Sequence, residues 1–187
     1  MQIQIIPIKE QIYKAQYETM KRWYWRLQPH LGVGKQTVFS KTDTYLGDFF
    51  EAFFITCYHI RDYLIEGGIK SEEIDDFINN SVPLKICADL CNLTKHVRLV
   101  KKPRMSSDIK LDTPIVMYRN ESGEEIVSSM LMIQDGDKLY NPLKLAEDCI
   151  KEWDKFLKSK SLPIPELIEE KTFLCFDESN SNLDASI

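Results

Sequence analysis

The chain has 187 residues, of which 43% are hydrophobic and 28% charged, and its formal net charge is −5. That length suits one domain with a core large enough to stand without a disulfide staple. There is no run of about 20 apolar residues to cross a membrane, and the first ten residues lack the pattern of a secretory leader. The net acidity argues against a protein that coats nucleic acid at large. A cytoplasmic protein that binds no membrane is the expectation.

Gln2-Ile3-Gln4-Ile5 alternates like a short strand, and Pro7 ends that pattern. A first helix is predicted from about Lys9 to Leu27. Tyr13, Tyr17, Met20, Tyr24 and Leu27 make its apolar stripe, and Pro29 closes it. The aromatic run Trp23-Tyr24-Trp25 reads as core packing rather than base stacking. Gly32-Val33-Gly34 has neither the Lys-Ser/Thr of a phosphate loop nor a dinucleotide fingerprint, and is read as a plain loop.

The second helix is predicted from about Thr44 to Glu66, with Gly67-Gly68 as its stop. Leu46, Phe49, Phe50, Phe53, Cys57, Ile60 and Leu64 form a strong apolar face, and Tyr58, His59, Arg61 and Asp62 bring polar groups to its second half. Ser71 is expected to cap a short acidic helix to about Asn79. Ser81 then opens a fourth helix running to Val97, with Pro83 in its first turn.

After Pro103 the pattern changes to period two. Ile115 to Arg119 reads as a strand, Asn120 to Gly123 as a turn, and Glu125 to Ile133 as one second strand. Asp135-Gly136 signals a hairpin turn into a short third strand, Lys138 to Tyr140. Asn141-Pro142 starts a last helix with Ala146, Cys149, Ile150, Trp153 and Leu157 on its buried face, stopped by Pro163 and Pro165. The expected fold class is α+β, mainly α: a helical bundle with a small antiparallel hairpin or meander near the C-terminal helix. One domain is expected over residues 1–165, followed by an acidic, partly disordered tail over 166–187.

The five cysteines lack C-x-x-C spacing. Cys57, Cys87, Cys91 and Cys149 fall at apolar helical positions and read as reduced core residues. A zinc set of Cys87, Cys91 and His96 is disfavoured, because the cysteines and the histidine point in different directions round the helix. No metal or organic cofactor is expected.

The fourth helix carries the chemistry. Lys85, Asp89, Asn92 and His96 recur at steps of four, three and four, so they share roughly 60° of arc at about 100° per residue. Apolar residues cover most of the rest, so the seam is a thin one of amide, carboxylate and imidazole. Such groups are costly to bury unpaired and useful when they line a cleft. An imidazole titrates near neutrality, and Asn92, one turn away, is placed to orient His96 or hold a phosphate oxygen. Lys95 and Arg98 flank the pair, and Arg98, Lys101, Lys102 and Arg104 form a basic run suited to a phosphate backbone. These groups suffice for metal-independent RNA cleavage through the 2′-hydroxyl only with a second acid or cation from elsewhere.

The stretch Cys91-Asn92-Leu93-Thr94-Lys95-His96, with the earlier phrase Cys57 to Leu64, resembles the HEPN (higher eukaryotes and prokaryotes nucleotide-binding) families over about residues 43 to 100. Those are helical bundles, many of them metal-independent ribonucleases of toxin–antitoxin and phage-defence systems. Their motif is Arg, a polar residue, three variable residues, then His. Asn92 and His96 match it, and Cys91 stands where the arginine belongs. The resemblance implies a HEPN-like bundle and a homodimer. It also implies an endoribonuclease, or an RNA- or nucleotide-binding protein, of a bacterial or mobile-element defence or toxin–antitoxin system. In the catalytic version His96 is the acid or base and Asn92 orients it; Lys95 and Arg61 stabilise phosphorane charge, supported by Asp89, Asp62 and His59. The alternative is a non-catalytic dimerising or partner-binding protein, like an antitoxin or inhibitor, in which Arg61-Asp62 and Asp89-Asn92-His96 are a structural network tying the second helix to the fourth.

Overall fold

The computed structural model describes residues 12–27, 44–95, 103–105, 109–112, 115–119, 122–123, 125–129 and 131–166, with the backbone alone for 44–46, 95, 115–119 and 125–129. Over these residues the chain is mainly helical. Its elements are α1 (Ile12–Leu27), α2 (Thr44–Glu66), α3 (Ser71–Asn80), α4 (Val82–Lys95), β1 (Lys110–Asp112), β2 (Ile115–Arg119), β3 (Glu125–Ser129), β4 (Met132–Asp135), β5 (Lys138–Tyr140) and α5 (Pro142–Ser159). The strand expected over 2–5 and the tail beyond Glu166 lie outside the described residues.

Four of the helices close a ring in which α1 packs on α2, α2 on α4, α4 on α5 and α5 back on α1, with α3 laid against α4 and α2. The apolar stripes read from the sequence face its interior. Tyr13, Tyr17, Met20 and Leu27 of α1 are buried, as are Phe50, Phe53, Cys57, Ile60 and Leu64 of α2. The ring is stitched by aromatic pairs. Trp23 meets Phe49 at 5.9 Å between ring centroids and Tyr24 meets Phe53 at 6.3 Å, joining α1 to α2. Phe77 of α3 meets Phe156 of α5 at 4.9 Å. The aromatic run of α1 is only partly core, because Trp25 is 41% exposed.

Hydrogen bonds reinforce the closure from α1 to α5. The Tyr17 hydroxyl donates to the Asp154 carboxylate, and the Tyr13 hydroxyl donates to the Pro163 carbonyl at 2.6 Å. Burial, together with the Asp154 bond, pushes the Tyr17 phenol above its ordinary pKa, so it stays a donor.

The helix ends follow local chemistry in two of three cases. The Asn141 side chain accepts from the Lys144 N–H at 3.0 Å, with Pro142 in the first turn of α5. Ser81 alone joins α3 to α4. Its own N–H closes α3 on the Ile78 carbonyl while its hydroxyl accepts from Leu84 N–H at 3.4 Å. The third expectation fails: Ser71 lies inside α3, and Lys70 at the cap position makes no side-chain cap. Glu72 and Glu73 in the first turn supply the negative charge that favours this N-terminus.

The strands depart from the single meander the alternation suggests. Residues 125–133 divide into two strands that serve two sheets. β2 and β3 form an antiparallel pair, whereas β4 lies between β1 and β5 in a three-stranded antiparallel sheet. The paired serines 128 and 129 followed by Met130 and Leu131 break the period-two pattern, and Leu131 at the break is buried. The β4–β5 hairpin turns at Gly136-Asp137, and Gly136 takes φ of +59° as the first of the two loop residues, a position that favours glycine.

If the Tyr17–Asp154 bond closes the ring, Tyr17→Phe lowers the unfolding free energy in urea by about 1–2 kcal/mol without changing the slope. A loss below about 0.5 kcal/mol removes that bond from the account of the fold.

Candidate functional site

α4 is enclosed. Ile86 through Cys91 are all buried, because α2, α3, α5 and β1 each touch the helix. Its polar seam is therefore covered where it crosses the middle of the helix. Asp89 is 1% exposed, and its two carboxylate oxygens accept the backbone N–H groups of Arg104 at 3.0 Å and Met105 at 2.8 Å. Burial raises the Asp89 pKa, and the two N–H groups oppose that shift without cancelling it. The segment 103–105 thus lies over the seam where an open cleft was expected.

Arg104 carries the link onward. Its guanidinium donates to the Tyr58 hydroxyl at 3.0 Å, to the Asn79 side-chain carbonyl at 3.1 Å and to Asp75 at 3.4 Å. Asp75 of α3 also receives a two-pronged bond from Arg61, with Nε and Nη2 each at 2.7 Å. Arg61 touches Asp62 as well, at 3.1 Å, but that carboxylate is 56% exposed and the pair is weak. The Asp75 hydrogen bond raises the Arg61 pKa, and Arg61 in turn holds the Asp75 carboxyl below its usual range. The sequence paired Arg61 directly with the α4 seam; in the structure Asp75 and Arg104 stand between them.

The remaining predicted residues divide into described and undescribed. Asn92 is half-buried on α4 and His59 half-buried on α2. Lys95 ends α4, and its side chain is not described. His96, Arg98, Lys101 and Lys102 lie outside the described residues. A cleft of about 250 Å³ opens beside the last turns of α4, lined mostly by apolar residues that include Phe54, Leu93, Ile109 and Leu111, with Glu51, Thr94 and Lys110 as its polar ones. None of the predicted site residues lines it among those described.

Sequence reasoning missed Asp75, although Asp75 and Asn79 stand one turn apart on α3, and that i, i+4 pairing was its available signal. It also missed a meeting of thiols. The sulfur atoms of Cys57, Cys87 and Cys149 all lie within 4.8 Å of one another, in the core between α2, α4 and α5. Cys91, considered with Cys87 for zinc, is 0% exposed and outside that group.

Comparison of the chain with protein-family models, curated proteins and solved structures gives no match. No described helix is long and apolar enough to cross a membrane.

The two carboxylates predict opposite pH behaviour. Asp75 is depressed in the fold, so the unfolded chain takes its proton first as the pH falls. The stabilisation is complete above about pH 4 and is lost as pH drops through the lowered folded value. Asp89 is raised, so its protonation on acidification favours the fold in the window above about pH 4. Asp75→Asn is expected to flatten the loss of stability below pH 4, read by denaturant midpoints across pH. Asp89→Ala leaves two backbone N–H groups without their acceptor and costs about 1–3 kcal/mol, with faster hydrogen exchange at the Arg104 and Met105 amides. Unchanged exchange there excludes Asp89 as their anchor.

Proposed function

We propose that the chain is a HEPN-like domain that acts by binding a partner protein and does not turn over RNA. The observation that carries this reading is the engagement of the two candidate cations whose side chains are described: Arg61 and Arg104 both bond to Asp75, and Arg104 also to Tyr58 and Asn79. A guanidinium held by a carboxylate offers little uncompensated charge to a phosphate. Cys91, at the position of the motif arginine, points into the core, so no cation is presented from there. Among the described residues, the two helices that hold this network also carry exposed acids, Asp62 and Glu66 at the end of α2 and Glu72 and Asp76 on α3. Negative charge at that corner opposes a polyanion and suits a basic protein surface. The resemblance adds a homodimer to the proposal, which sedimentation equilibrium reads directly.

The test is incubation of purified wild type and His96→Ala with mixed RNAs in chelator. The expected result is no cleavage by either protein. Cleavage by wild type that His96→Ala abolishes restores the ribonuclease reading and overturns this one. Rebuilding the motif gives a second measurement. Cys91→Arg places a charge in the core and is expected to destabilise the fold by at least about 3 kcal/mol. A stable Cys91→Arg protein contradicts the buried placement of that position on which the reading leans.

A further inference from the structure

Three helices each bring one thiol to a single point in the core. Cys57 of α2, Cys87 of α4 and Cys149 of α5 are fully buried, and their sulfur atoms lie within 4.8 Å of one another. The Cys87 thiol donates to the Phe54 carbonyl at 3.3 Å and the Cys149 thiol to the Pro83 carbonyl at 3.4 Å. A second buried group adjoins them. The Trp153 indole N–H is inside the same core and has no hydrogen-bond acceptor among the described residues, although it comes near enough to Cys57 to lower that thiol's pKa. A buried N–H without an acceptor costs about 1–3 kcal/mol. A neutral thiol is a poor acceptor, whereas a thiolate at the same place is a strong one.

We propose that Cys57, Cys87 and Cys149 form a binding site for one thiophilic d10 metal cation, with the Trp153 N–H donating to the Cys57 sulfur once that sulfur is a thiolate. Soft thiolates select cuprous copper and zinc over harder cations. A metal–sulfur distance of about 2.3 Å sets ligand sulfurs about 4 Å apart, so the three need to close by less than about 1 Å from the observed limit. Rotation of three cysteine side chains supplies that movement without shifting a helix.

Binding displaces one proton from each thiol that becomes a ligand, and no electron is transferred. Three thiolates around a divalent ion leave one net negative charge, and around cuprous ion two. The indole N–H offsets part of this charge at Cys57. Three protein donors fit cuprous copper as they stand, whereas zinc takes a fourth ligand. The acidities are already graded among the three. Burial opposes ionisation of all of them, but the polar groups converging on Cys57 hold its thiol below the ordinary value, whereas Cys87 and Cys149 are pushed above it.

The experiment uses the reduced, full-length chain under anaerobic conditions, loaded both as folded protein and during refolding. One arm supplies cuprous ion against a competing chelator, and the other supplies zinc against a chromogenic chelator. The expected result is one equivalent of metal per chain retained through gel filtration in at least one arm, with a raised Tm and three thiols protected from alkylation. Cys57→Ser and Cys149→Ser lose the metal, Cys91→Ser keeps it, and Trp153→Phe weakens affinity by about tenfold. Absence of retained metal in both arms overturns the proposal, as does a disulfide between any two of the three in the purified protein. Wild-type stoichiometry decides the matter even where a variant fails to fold.

Discussion

A stretch of helix with no face left to water must satisfy every polar group it carries from within the protein, and the middle of α4 is such a stretch. From Ile86 to Cys91 every residue is buried, yet Asp89 sits in the middle of that run. A buried carboxylate without donors is prohibitively costly. Two consecutive backbone N–H groups at Arg104 and Met105 solve the problem, and in doing so they fix where the chain passes after α4. That placement delivers the Arg104 guanidinium to Tyr58, Asn79 and Asp75, where it meets Arg61. One buried acid thereby sets the register of α2, α3 and the strap over α4.

The same arrangement engages the two arginines that the described residues hold near the seam. A site for phosphoryl chemistry needs cations whose charge is available at the moment negative charge develops. Arg61 and Arg104 are instead matched to Asp75 in a two-pronged and a longer bond, with Arg104 further engaged by neutral acceptors. Moving Arg61 to a substrate would cost Asp75 its two-pronged bond, and moving Arg104 would leave Tyr58 and Asn79 without that donor. Groups tied this closely rigidify a fold and give up the freedom that binding an anion requires.

The helices were legible because period alone specifies them. Tyr13, Tyr17 and Met20 on α1, Phe50, Phe53 and Cys57 on α2, and Cys149 and Trp153 on α5 are buried as their spacing requires. The seam of α4 was also legible as a feature, since a lone acid among apolar neighbours has to be answered by something. Its partner was not, because backbone N–H groups leave no trace in a residue pattern. Arg61 illustrates the other limit. Its type and position announced an ion pair, but Asp62 beside it and Asp89 opposite were equally plausible partners until α3 was folded against α2. Strand division failed for a related reason: the transfer of 125–133 between two sheets is set by what β4 pairs with, and β1 is only three residues long.

The cysteines show why burial and inertness are different properties. Each thiol, read on its own helix, is a small apolar residue on an apolar face, and the sequence offers no reason to connect them. Folding brings three of the four described cysteines to one point and leaves Cys91 apart. If packing volume were the only demand, the indole of Trp153 would still need an acceptor, and none is present among the described residues. Asp89 and the thiols therefore contrast sharply within one core. The acid has its donors in full, whereas the thiols converge beside a donor that lacks its acceptor. A sulfur carrying negative charge removes that mismatch, and a bound cation is what makes such a charge tolerable between three helices.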